Sequence, residues 1–382
     1  MKLKILVFLL AFLLLLSLTS IHIYVVVMIG FMSFLLIPKN KYWDKTSFFI
    51  LLFSLMYVLV LVADHRVASW ANVISYATCP ILFYRIGQFI VSETTDRGII
   101  TILSILITCY MIPLAVATID SIKETGEIVN VYRSIGSEGL EEDALGATYY
   151  GLHASLGLTM ISMLFLKMHN IYIHKIVSIC CIAIAMLTTI HLVNRAALII
   201  TAVCLCATIW FVTKGRILKR IALLGVSIGA ILIIVWGIQE NVVVEIIDAY
   251  VTREDNAKFG IASGGGRIDT AINVVGKMFD SPFGVPNEMY AHNLWLDIIR
   301  VVGFLPFIPF VIASIINYKN LFRGLQTCNI APYILGLNVC TFSVCMMEPV
   351  IEGSALYFYL VMLVWGINAE ISVQKNLFSV DS

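Results

Sequence analysis

The residues best suited to chemistry in this chain lie between positions 264 and 303. Gly264, Gly265 and Gly266 lead directly into Arg267, Tyr290 and the pair His292-Asn293 follow, and after nine intervening residues comes Gly303. A glycine run lets backbone N–H groups approach a ligand closely, and the start of a helix favours anions. Arginine presents a planar fork of donors that suits phosphate oxygens and stays charged. Histidine exchanges a proton near neutrality. An anion clamp and a proton-exchanging group in one polar segment suit a loop held over a lipid-borne substrate. Asn293 would orient the imidazole or contact a ligand. Tyr290 and Trp295 would stack on a ligand or, as aromatics near a membrane surface commonly do, form part of an interfacial belt.

A second arginine stands out by its surroundings. Residues 176–212 form one apolar stretch of 37 residues whose only formal charge is Arg195, which reads as two spans joined by a turn at 194–196. Placing an arginine in the apolar region costs about 2.5–3.5 kcal/mol on the insertion scale. Arg195 therefore either snorkels to the headgroups or reaches a phosphate at the membrane surface. His153 and His191, near other span ends, read as packed polar residues, and Arg85, inside a span, as a snorkelling side chain.

These residues must be positioned by membrane helices. The chain has 382 residues, 60% hydrophobic and 13% charged, against about 45–50% and about 25% in soluble domains. That composition indicates an all-α polytopic membrane protein. The net charge of +1 points to no nucleic-acid partner. None of the nine cysteines lies in a long polar loop, which leaves no disulfide framework and no cysteine metal site to expect. Runs long enough to cross a bilayer fall near 3–20, 21–37, 47–63, 71–91, 98–119, 148–166, 176–193, 196–212, 221–239, 297–316, 329–347 and 353–369, about twelve spans in all. The first follows Lys2 and Lys4 like a signal segment, but a second apolar run comes directly after it, so it reads as a retained span. No internal repeat is visible.

Basic residues set the orientation. With the N-terminus inside, fifteen of the 25 lie on inner segments, nine on outer segments, and Arg85 within a span. Both termini are then cytoplasmic, and the long polar segments 120–147 and 240–296 face outward. The chain divides into a bundle over 1–239, a large outer loop over 240–296 bearing the motif, and a last group of spans with a tail over 297–382. The outer loops are rich in acids, which read as solvated surface. Glu142-Asp143 and Glu254-Asp255 are the candidate metal pairs, but adjacent acids on a helix point apart. Within the loop, Ile268, Ala271, Ile272, Val275 and Phe279 recur at helical spacing, and Pro282 and Pro286 follow. This predicts an amphipathic helix lying on the membrane surface or on the bundle, opened by Arg267.

With these residues in view, the chain resembles the O-antigen polymerase and O-antigen ligase superfamily of bacterial envelope enzymes. The resemblance is carried by Arg195 at an outer turn, by Gly266-Arg267 in a large late loop, by the Pro282-Phe283-Gly284 turn, and by His292-Asn293 followed after nine residues by Gly303. The motifs fall roughly within 190–305. The ligase-type pattern would have a further glycine where this chain has Pro306, and the tryptophan common after the loop arginine is replaced here by Thr270 and Ala271. The resemblance implies a membrane-embedded glycosyltransferase fold with no bound metal or other cofactor. It also implies a glycan on an undecaprenyl diphosphate carrier as donor, at the outer face of the bacterial cytoplasmic membrane. His292, Arg267 and Arg195 would be catalytic, and Gly264, Gly265, Gly266, Asn293 and Tyr290 would bind substrate. A chain-length regulator and a flippase of the same pathway would be partners. A polymerase is the first expectation, because the last motif glycine is missing. A ligase acting on lipid A-core is the alternative. A transporter of the same lipid-linked sugar would need broken helices and polar residues deep in several spans.

Overall fold

A computed structural model of the chain describes residues 1–19, 22–37, 43–66, 69–130, 134–135, 145–213, 267–285, 291–326 and 328–378, together with a few positions between 216 and 225. Within a bilayer every backbone N–H and C=O must be satisfied inside the segment, which long apolar runs achieve as helices. The described residues are accordingly almost all helical. The helices are α1 (Lys2–Leu15), α2 (His22–Leu36), α3 (Lys45–Ala63), α4 (Trp70–Ser92), α5 (Asp96–Thr125), α6 (Ala147–Leu158), α7 (Tyr172–His191) and α8 (Arg195–Val212). After the loop come α9 (Arg267–Lys277), α10 (Leu294–Val302), α11 (Phe304–Leu325), α12 (Ala331–Met347), α13 (Val350–Gly353) and α14 (Ala355–Phe378). One two-residue β pairing, Ser134–Ile135 against Leu145–Gly146, precedes α6.

Seven of the described helices are long and apolar enough to cross a membrane: α3, α4, α5, α7, α8, α11 and α14. This makes the chain an α-helical polytopic membrane protein, but it does not reproduce the count of twelve spans. Spans of about 20 residues are needed for an untilted crossing, and α1, α2 and α12 have 14, 15 and 17. The run 148–166 is not one α-helix, because α6 gives way to a 3-10 segment over Thr159–Phe165. The run 297–316 is split at Gly303 into α10 and α11. The span expected over 221–239 and most of the large loop lie outside the described residues.

At the centre stands α14, of whose apolar stretch Ala355–Val373 89% is buried. Its closest neighbour is α4. A Cβ at Gly366 would overlap the Tyr84 carbonyl oxygen, and one at Gly87 would overlap that of Leu363, so the two backbones touch through glycines. Small residues allow this approach between membrane helices, where lipid offers no hydrophobic drive for association. A buried amide relay ties α14 to α11 and α12. Asn338 Nδ2 donates to Asn368 Oδ1 at 2.9 Å, and Asn368 Nδ2 donates to Asn317 Oδ1 at 2.9 Å.

The helices alternate in direction, which sorts the polar residues between two ends. At one end, Asn329 Nδ2 donates to Asp96 Oδ2 at 2.9 Å and Arg97 reaches the Asn170 carbonyl at 3.4 Å. At the other, Tyr149 donates to the Ser17 carbonyl at 3.0 Å, and buried His191 is held by Ser121 and the Ile128 carbonyl, each at 2.9 Å. Arg66, Arg195, His292 and Arg300 belong to this second end.

Candidate functional site

The second end is organised by the short helix α10. Asn293 is its N-cap: Oδ1 accepts from the backbone N–H of Trp295 at 3.1 Å and of Leu296 at 3.2 Å. This satisfies two of the donors that a helix start leaves unpaired. His292, just before the cap, has φ +50, a left-handed conformation uncommon for a residue with a side chain. That turn aims two backbone N–H groups at one carboxylate. Asp297 accepts from Ala291 at 2.8 Å and from Asn293 at 3.2 Å.

Asp297 is fully buried and Arg300 nearly so. Burial pushes the Asp297 carboxyl above its ordinary value, while the Ala291 N–H, the Arg300 charge and the Asn293 N–H pull the other way. Buried charges must be paired. Arg300 Nε donates to Asp297 Oδ1 at 3.3 Å, and its other arm pairs with Glu352 of α13. The relay from the Ala291–Asn293 backbone through Asp297 and Arg300 to Glu352 fastens α10 to the start of α14.

The far end of α10 is locked by the turn that precedes the motif. Gly303 has φ +86 and Gly284 has φ +104. A Cβ at Gly303 would overlap the Pro282 carbonyl oxygen, and one at Gly284 would lie 2.7 Å from the carbonyl oxygens of Arg300 and Val301. Only glycine suits both the dihedral and the space. Val285 N–H donates to the Arg300 carbonyl at 2.7 Å. Arg66, paired with Asp64, donates to the carbonyls of Val301 and Phe283. Pro282-Phe283-Gly284 and His292-Asn293…Gly303 are thus two halves of one interlock. Pro306 falls in the first turn of α11, where a missing N–H costs nothing.

The imidazole of His292 faces α12. Its Nδ1 lies 3.6 Å from Glu348 Oε2, with the His292 side chain 24% exposed and that of Glu348 only 4%. Arg195 is the first residue of α8, behind the cap Asn194, whose Oδ1 accepts from Ala197 N–H at 3.1 Å. Gly151 of α6 packs directly on the Asn194 side chain, and the next residue, Leu152, lies against Gly353. Helix α6 therefore touches both the Arg195 turn and α13.

Arg267 opens α9, as the pattern requires, and α9 packs on α10. The orientation of the Arg267 side chain, the glycines 264–266 and Tyr290 lie outside the described residues, as do Glu142-Asp143 and Glu254-Asp255. On α9 Val274 is fully buried, whereas Ile272 and Val275 of the expected apolar stripe are exposed, and just past the helix the exposed Phe279 ring lies 5.4 Å from that of Phe304. Trp295, half-buried, packs between Phe310 and Phe342, with ring centroids 6.4 and 5.5 Å away. Asn293 spends its Oδ1 on the cap, and its Nδ2 lies 3.4 Å from the Met346 carbonyl.

The residues most easily missed are Glu348, Glu352 and Asp297. Between Arg323 and Glu370 the only formal charges are Glu348 and Glu352. Two acids in an otherwise neutral stretch were the available signal, and alternation of the spans puts them at the end that holds His292. No family model matches the chain, and no curated protein is significantly similar to it.

Proposed function

We propose that this chain is a membrane glycosyltransferase that joins oligosaccharide repeat units carried on undecaprenyl diphosphate, a polysaccharide polymerase. The single observation that carries this is His292, held in a left-handed turn by a capped, interlocked helix, at the same end of the bundle as Arg195. In this reading that end is the outer face of the bacterial cytoplasmic membrane, with both termini in the cytoplasm and a span over 221–239 leading out to the loop over 240–296.

The reaction needs an acceptor sugar hydroxyl to attack an anomeric carbon while a lipid diphosphate departs. His292 takes the hydroxyl proton. Arg195 and Arg267 hold the diphosphate as its charge grows, an effect for which one such group typically contributes about 2.7–4 kcal/mol. Glycines 264–266 and Tyr290 would contact the donor. The described spans are nearly uncharged at depth, which favours chemistry at one surface over transport through the bundle.

The test is turnover of a carrier-linked repeat unit by the purified protein in vesicles. Arg267→Ala is expected to abolish chain extension at unchanged expression, and Arg267→Lys to impair it, because a point charge cannot replace a bidentate fork. Full extension by Arg267→Ala would remove that residue from the chemistry. In cells, loss of a polymerase leaves single repeat units on the final acceptor, whereas loss of a ligase leaves long chains stranded on the carrier.

A further inference from the structure

Glu348 occupies a costly position. It caps the C-terminus of α12, where the helix dipole is negative and disfavours a carboxylate. Its side chain is 4% exposed, and among the described residues its buried Oε2 accepts no hydrogen bond. A carboxylate withdrawn from water needs a cation or a donor in compensation. The group facing it is the His292 imidazole, 3.6 Å away, itself on a backbone of φ +50. Two unfavourable features facing each other are characteristic of functional sites. The backbone of His292 does not need Glu348, because Asp297 already holds the N–H groups on either side of it. Among the described residues, what remains for Glu348 is the ring.

We propose that Glu348 is the positioning residue of the transfer reaction: its carboxylate accepts a hydrogen bond from the Nδ1–H of His292, fixing that tautomer and so presenting Nε2 to the acceptor hydroxyl. This rests on the function proposed above. A bond forms between the acceptor oxygen and the anomeric carbon. The bond from that carbon to the diphosphate oxygen breaks, and its electron pair leaves with the diphosphate. The hydroxyl proton goes to Nε2, and the resulting imidazolium, doubly protonated, is steadied by the Glu348 charge until it returns the proton to water. A contact of this length before substrate binds is expected to shorten in the reacting complex.

The experiment uses the full chain in vesicles with carrier-linked repeat units extracted from producing cells. Glu348→Gln is expected to lower kcat about a hundredfold or more, within the range of general base catalysis, with KM unchanged, and Glu348→Asp to recover part of the loss. In a His292→Ala background Glu348→Gln is expected to add no further loss, since coupled residues are not additive. A Glu348→Gln protein of full kcat, or one whose loss persists undiminished in the His292→Ala background, overturns the proposal. A fully active His292→Ala protein also overturns it, whereas an unaltered protein that joins no units overturns the function itself, so the two failures are distinct. Should Glu348→Gln not fold, 15N resonances of His292 in the unaltered protein decide. A neutral ring protonated on Nδ1 supports the proposal, and one protonated on Nε2 overturns it.

Discussion

Asn293 and Gly303 are the two caps of a single nine-residue helix. The nine residues between them in the sequence motif are the length of α10, so the spacing has a structural cause. The helix begins where an asparagine can accept from two N–H groups and ends where only a glycine fits against the Pro282 carbonyl. What the motif delivers is the position of His292, immediately before the first cap.

The cap predicts how Asn293 variants behave. Asn293→Ala should destabilise the protein by about 1 kcal/mol, the usual cost of losing an N-cap, and Asn293→Asp should be nearly neutral. Thermal unfolding in detergent checks both. An Asn293→Asp protein of normal stability but no activity would show a direct substrate contact instead.

At the other cap, Gly303→Ala should be far more damaging than a surface change. Left-handed backbone costs a residue with a side chain about 1–3 kcal/mol, and the overlap with Pro282 adds to it. The expected readout is a lower melting temperature and poor recovery from membranes.

The fold was legible where hydropathy decides and obscure where geometry does. Residues 47–63, 71–91, 176–193 and 196–212 form helices close to their expected limits, because a run of apolar residues has few other ways to lie in lipid. A hydropathy window cannot register the break at Gly303, since both sides of it are apolar, nor the tightening of α6 into a 3-10 turn. Helix α9 forms over the run its spacing predicts, with Ile272 and Val275 exposed, while nothing in that spacing singles out the buried Val274. Glu348 is separated from His292 by more than fifty residues, and their pairing depends on α12 and α10 meeting at one end. Arg195 and His292 carried recognisable local patterns, whereas the Asp297–Arg300–Glu352 relay had none.

That relay predicts a steep asymmetry. Arg300→Met leaves Asp297 and Glu352 facing each other without their cation, and breaking a buried ion pair from one side costs about 3–5 kcal/mol. Glu352→Gln should cost less, because Asp297 still holds the guanidinium and Glu352 is 26% exposed. Comparing the two unfolding midpoints checks the order.

The contact between α4 and α14 makes its own demand. Gly366→Leu or Gly87→Leu must drive the helices apart, because each new side chain meets backbone. Both variants should be lost from the folded fraction on size exclusion, whereas Gly276→Ala, where a Cβ meets nothing within 4 Å, should behave normally.

The central claim is that His292 draws a proton from an acceptor sugar at the end of the bundle that also holds Arg195. The most direct measurement is the initial rate of repeat-unit joining in vesicles by His292→Ala, with Gly276→Ala as a folded control. The account predicts a loss of at least about a hundredfold for His292→Ala and a rate near normal for the control. A His292→Ala protein that joins units at the unaltered rate would contradict it.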